Sequence, residues 1–197
     1  MMWSLCTEKE DKERKMIYYK EQRLNNGRLV VLRNGERKDG EAVLDNFIAT
    51  HAESDYLLTY PEECSFTVEM ESNYLEKKKN DEREVEILAT LDDKVVGTAG
   101  IDSVGRGIKV AHRCTFGVSI LKEYWGMGIG RELTMAAIEA AKSAGYTQIE
   151  LDVVKENERA INLYKTLGFV EYGENERGFK NKEGEYRSLI LMKLVLS

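Results

Sequence analysis

In residues 124–133, YWGMGIGREL, three glycines alternate with Met127 and Ile129 before a charged pair. Gly126, Gly128 and Gly130 permit backbone conformations closed to other residues, and they leave nearby amides unshielded by a β-carbon. Arg131, Glu132 and Leu133 open a helix whose first unpaired NH groups and positive dipole end point at the same spot. Together these residues form a cradle for an anion, and a phosphate-bearing cofactor suits it. Glycines alone would equally serve a tight connection between strand and helix. A P-loop would need Lys and then Ser or Thr after its last glycine, but Arg131 and Glu132 follow Gly130. A dinucleotide fingerprint would need glycine at the sixth place from Gly126, where Arg131 stands, although Glu150 and Asp152 supply acids at about the expected distance.

The elements that position this loop follow from periodicity. The run 28–33, RLVVLR, is a short β-branched strand, and Ala42, Val43, Phe47 and Ile48 fall at helical spacing in 41–51. Ser65 caps a second helix running to about Lys79. Residues 84–91 and 94–101 alternate around Asp92 and Asp93 as an antiparallel hairpin, and 108–120 adds a third strand leading into the glycine loop. The helix 131–144 ends at Gly145, a residue suited to a left-handed cap. The strand 149–154, IELDVV, comes next and should run parallel to the one before the loop, since strand, helix and strand make a right-handed crossover. A helix at 158–167 carries Ala160, Leu163, Tyr164 and Leu167 on one stripe and closes at Gly168. Residues 169–172 and 186–194 alternate around the turn-rich GENERGFKNKEGE and form a final hairpin. The expected fold is α/β, with a mixed, mostly antiparallel twisted sheet of about seven strands flanked by about four helices.

Composition bounds the function. The chain has 197 residues, 42% hydrophobic, with Pro61 as its one proline, and reads as a single domain over 27–197 behind a charged extension over 1–26. A formal charge of −6 offers no basic face for a nucleic-acid backbone. Cys6, Cys64 and Cys114 are odd in number and widely spaced, so free thiols are expected rather than a disulfide framework or a metal site. The segment MMWSLCTEKEDKERK has no long apolar core and no apolar span follows, so no membrane association and a cytoplasmic location are expected.

Taken together, YWGMGIGREL, IELDVV and NERAINLYKTLGF resemble the GNAT superfamily of acetyl-CoA-dependent N-acetyltransferases, over roughly residues 28–195. The resemblance implies a central parallel pair of strands that splay apart. It also implies that Gly126, Met127, Gly128, Ile129, Gly130 and Arg131 hold the pyrophosphate of coenzyme A through backbone amides. Trp125 stands where the family often has Arg or Gln. By the same resemblance, the strand end at Val118, Ser119 and Ile120 pairs with the pantetheine arm, Asn157 contacts the cofactor and Tyr164 sits by the thioester sulfur as a proton donor. From the residues alone, Asn157 is an ordinary helix cap and Tyr164 a core residue. The reaction also needs a base: Glu123, Glu150, Asp152 and His112 are candidates that spacing does not separate, and bulk water through a wire would also serve, so the base is left unassigned. Acids at Glu53, Asp55, Glu62, Glu63, Glu69 and Glu71 lie in the region that shapes the acceptor side in the family. They would draw in a cationic amine, such as a polyamine, an aminoglycoside or a protein N-terminus, or else form a solvated face. The implied activity is acetyl transfer from acetyl-CoA to a primary amine by direct attack in a ternary complex, with homodimerisation a family habit. The alternatives are a non-catalytic coenzyme A-binding module and a nucleotide-binding Rossmann domain, the latter needing further βα units after residue 169.

Overall fold

The structure, a computed structural model, describes residues 15–197. Its strands are β1 (Tyr19–Arg23), β2 (Leu29–Asn34), β3 (Val85–Leu91), β4 (Lys94–Ser103), β5 (Arg113–Ile120), β6 (Gln148–Val154), β7 (Val170–Lys180) and β8 (Tyr186–Val195). Its helices are α1 (Gly40–Glu53), α2 (Val68–Asn80), α3 (Ile129–Ser143) and α4 (Glu158–Thr166). The strands form one sheet in the order β1-β2-β3-β4-β5-β6-β8-β7, in which β5 and β6 are the parallel pair and every other pairing is antiparallel.

Strand alternation sorts the core onto two faces. Along β3, Val85, Ile87, Ala89 and Leu91 join the main core, which also takes Leu133, Ala137 and Ala141 of α3 and Ile161 and Tyr164 of α4. Leu88 points the other way, into a smaller cluster with Val43 of α1, Leu75 of α2 and Val95. Glu86 shares the parity of Leu88 and is the single charge in VEILATL. It therefore stands beneath α1 and α2.

The β3–β4 turn is as expected: Asp92 and Asp93 have φ of 49° and 64°, the left-handed pair that a two-residue hairpin requires. Gly145 and Gly168 adopt φ of 79° and 94° where they end α3 and α4. Four boundaries differ from expectation. The sheet begins at β1, within the stretch expected to be an extension, because Met16 and Leu24 enter the main core and Tyr18 and Lys20 bond to Glu139 and Glu132 of α3. Residues 1–14 of that stretch lie outside the described part. The cap of α2 is Thr67, whose hydroxyl accepts from the Met70 amide, rather than Ser65. Residues 107–111 form a turn closed by Val110 and Ala111 on the Gly107 carbonyl, so β5 starts only at Arg113. Finally, β7 runs to Lys180 through the segment expected to turn, with two register shifts against β8. Cys64 and Cys114 carry free thiols, and Cys6 lies outside the described residues.

Among the described residues, no helix is long and apolar enough to cross a membrane.

Candidate functional site

The parallel pair holds together briefly and then opens. Residues 113–115 of β5 pair with residues 148–150 of β6, and no further ladder joins the two strands beyond Thr115 and Glu150. Residues 116–120 still pair with β4 on their other side, leaving the edge toward β6 available to a ligand. At the closed end of the fork, Arg113 grips Glu150 with two bonds of 2.5 and 2.7 Å, and Gln148 donates to the same carboxylate at 2.7 Å. The Arg113 guanidinium holds the Glu150 carboxyl below its usual range. A carboxyl lowered in the folded state adds stability that is complete above its unfolded pKa of about 4.3 and fades as pH falls through the folded value. Glu150→Gln should therefore lower the melting temperature most near neutrality, with the gap to the parent closing under acid. Thermal melts from pH 7 to about pH 3 check this.

The open end of the fork is a cleft of about 440 Å³ between the strands, α3, α4 and the loop after α1. At its head, Gly126 and Gly128 have φ of 84° and 94°, and Gly128 is the residue from which α3 starts. Both glycines take conformations that a β-carbon opposes, so they are required by the turn. A β-carbon on Gly130 would meet Ile120 Cδ1 at 3.2 Å and Leu163 Cδ2 at 3.4 Å, so a larger residue there would push these side chains back from the helix start. Trp125 locks the loop to the strand end: its indole NH donates to the Ile120 carbonyl at 2.8 Å. The side chain before the first glycine thus serves as an anchor.

Of the residues singled out in the sequence, Val118, Ile120, Gly126, Gly128, Ile129, Gly130, Arg131, Asn157 and Tyr164 all line this cleft. Met127 does not, and its side chain packs against the main core. The Asn157 side chain accepts from the Ala160 amide at 3.2 Å, so it is a helix cap as well as a cleft wall. Tyr164 is buried at 7% exposure, with its ring edge-on to Phe116 at 6.1 Å and tilted against Phe169 at 5.8 Å. Burial alone pushes its phenol up to about 12, which keeps it protonated at neutral pH.

The four base candidates separate here. Glu150 is committed to Arg113, Glu123 is paired with Lys94 at 3.0 Å on the surface, and His112 is exposed at the start of β5. Asp152 lines the cleft, its pKa raised by burial and by the charge of Glu150. Of the six acids that would either draw in a cationic amine or form a solvated face, four are taken up by neighbours. Glu62 bonds to Lys182, Glu69 to Arg37, Glu53 to the Lys122 amide and Glu63 to the Tyr60 amide. Arg159 went unnoticed in the sequence. It lines the cleft, its guanidinium lies 5.5 Å from the Trp125 ring centre, and a β-carbon on Gly126 would come within 3.8 Å of it. A basic residue two places after the Asn157 cap was the available signal.

Comparison with known proteins agrees with this geometry. Residues 47–169, more than half of the chain, match the Acetyltransferase (GNAT) family. The N-alpha-acetyltransferase 30 of Schizosaccharomyces pombe is 34% identical over 73 residues, covering 37% of this chain and 49% of that protein. The spermidine N(1)-acetyltransferase of Escherichia coli K12 is 32% identical over 126 residues, covering 61% and 63%. The chain thus spans about half the length of the first relative and under two thirds of the second. A GNAT-family acetyltransferase from Streptococcus pneumoniae superposes with a TM-score of 0.81 at 28% identity, over 85% of this chain and 99% of that one. The same fold recurs in an acetyltransferase from Salmonella typhimurium solved with its cofactor acetyl-CoA, with a TM-score of 0.76 at 16% identity over 85% and 94%. With a glycine cradle at the head of a splayed parallel pair and a family match spanning cradle, β6 and α4, the chain belongs to the GNAT family of acetyltransferases, whose acetyl donor is acetyl-CoA.

Proposed function

We propose that this protein transfers acetyl from acetyl-CoA to a primary amine by direct attack of the amine within a ternary complex. The observation that carries the reading is the placing of Tyr164, a buried neutral phenol, on the wall of a cleft whose head is the left-handed glycine turn. The residues fit the donor. Amides at Gly128 to Gly130 suit a pyrophosphate at a helix start, whereas the Arg131 amide already donates to the Gly128 carbonyl at 3.0 Å; Arg159 adds a cation beside it, and the edge of residues 116–120 suits an amide-bearing arm. Acetyl-CoA supplies an activated acyl carbon and a thiolate leaving group.

The chain's own groups then have defined tasks. The open β5 edge holds the acyl end extended and offers backbone NH groups to the developing oxyanion. As the nitrogen–carbon bond forms and the carbon–sulfur bond breaks, the Tyr164 hydroxyl donates to the departing sulfur. The proton lost by the nitrogen goes to Asp152, a carboxyl that lines the same cleft. The experiment is release of free thiol from acetyl-CoA across a panel of amines, with mass detection of the acetylated product. Amine-dependent release supports the reading. Tight acetyl-CoA binding without release for any amine would instead favour a binding module. Asp152→Asn should lower kcat by at least about tenfold and move the acid limb of the pH–rate profile, as expected of a positioned base.

A further inference from the structure

On the sheet face away from α3 lies a second cavity of about 440 Å³, between α1, α2, β3 and β4. Phe47 of α1, Phe66 of the connecting loop and Tyr74 of α2 give it aromatic walls. Three acidic residues line it: Glu63, whose carboxylate already accepts from the Tyr60 amide at 2.7 Å, and two without such a partner, Glu86 of β3 and Glu71 of α2. Glu86 has room because Gly100 stands opposite it in register, where a β-carbon would come within 2.7 Å of the Glu86 Oε2. Ser119, at the open end of β5, is a wall of both this cavity and the cofactor cleft.

The charge inside this cavity is unbalanced. Burial pushes the Glu86 carboxyl up to about 7, with the charges of Asp102 and Glu71 adding to the rise and Lys78 and the Thr98 hydroxyl opposing it. Burial also raises Glu71. Neither carboxylate forms an ion pair among the described residues, while the Lys78 ammonium is bonded to Asp102, lies 3.7 Å from Glu84 and donates to the Ile101 carbonyl at 3.1 Å. Desolvated carboxylates are costly to ionise: they hold a proton, or give it up when a cation arrives to pair with them. Two of them in a pocket with aromatic walls match two ammonium groups joined by methylenes, since the spacer gains apolar contact and the ends gain charge.

Resting on the acetyl-transfer reading above, we infer that this cavity is the acceptor site and that its substrate is an aliphatic diamine or polyamine. Its reacting nitrogen sits between Ser119 and Glu86, and its distal ammonium sits at Glu71. A monoamine of the same length would leave Glu71 uncompensated, and a peptide N-terminus would bring a backbone that these apolar walls do not satisfy.

The test compares putrescine and spermidine with butylamine, phenethylamine and a short peptide carrying a free N-terminus. The full chain is used, by initial rates with acetyl-CoA and by calorimetry of the amines in the presence of coenzyme A. Putrescine or spermidine should exceed butylamine at least about tenfold in kcat/KM. Glu71→Gln should erase that preference by lowering the diamine alone about tenfold, while Glu86→Gln should lower both amines about a hundredfold. Acetyl-CoA affinity should stay unchanged in both variants, which also reports that they are folded. Equal or better turnover of butylamine, phenethylamine or the peptide would overturn the assignment and leave acetyl transfer standing, as would diamine kinetics indifferent to both variants. Failure of acetyl-CoA to bind would remove the transfer reading instead, and amine calorimetry would still decide what the cavity holds.

Discussion

Replacing Tyr164 by Phe should lower kcat by about 10²- to 10³-fold while leaving the KM for acetyl-CoA and the melting temperature nearly unchanged. The ring stays in place against Phe116 and Phe169, so the packing around it is preserved and only the hydroxyl is lost. No hydrogen bond contributes to the rise in its pKa, so nothing among the described residues claims the group. Burial has a double effect at this point. It makes the phenol a weaker acid, but a thiolate forming beside it is desolvated by the same apolar walls and becomes a stronger base. The difference between donor and acceptor therefore stays small, and a short, poorly solvated hydrogen bond to sulfur lowers the barrier. Single-turnover rates with saturating acetyl-CoA separate this effect from binding. An unchanged chemical step would return Tyr164 to the role of a core residue.

The second large effect should come from Gly128→Val. At φ of 94° a β-branched residue is strained by about 1–3 kcal/mol, and the loop will relax by turning its amides away. A valine side chain would also cover the helix start that the phosphates are to meet. Together these should weaken acetyl-CoA by a factor on the order of 100 or more, which corresponds to roughly 2.7 kcal/mol. Strain of that size would also lower the stability of the fold, and Gly145 provides the control that separates the two effects. It has φ of 79° at the far end of the same helix, so Gly145→Val should destabilise the fold comparably and leave acetyl-CoA affinity near that of the parent. Equal losses of affinity in both variants would mean that the loop matters only for folding.

Much of this site could be seen in the sequence because its parts follow local rules. The left-handed glycines, the cap at Asn157 and the apolar stripe of α4 are fixed by neighbours within a few residues. The turn at Asp92 and Asp93 is legible for the same reason. What stayed hidden depends on distant partners. β1, YKEQR, has no apolar run because it is an edge strand, and the burial that holds it comes from Met16 and Leu24 on either side. The second half of β7 reads as a turn because its residues are exposed and polar; only pairing to β8 makes it a strand. The two cavity carboxylates illustrate the limit most clearly. Glu71 looked like one of several helix acids, and Glu86 was an inconspicuous charge in an apolar strand. Their meeting under α1 requires a β3–β4 register that sequence spacing does not report. Arg159 likewise gains meaning only when α4 folds back beside Trp125.

The measurement closest to the central claim is calorimetric titration of acetyl-CoA into the full chain without amine. Saturable binding at one site per chain, weakened by Gly128→Val and retained in Tyr164→Phe, is the expected result. Absence of saturable binding, or binding indifferent to the glycine turn, would contradict the placing of the donor between β5 and β6.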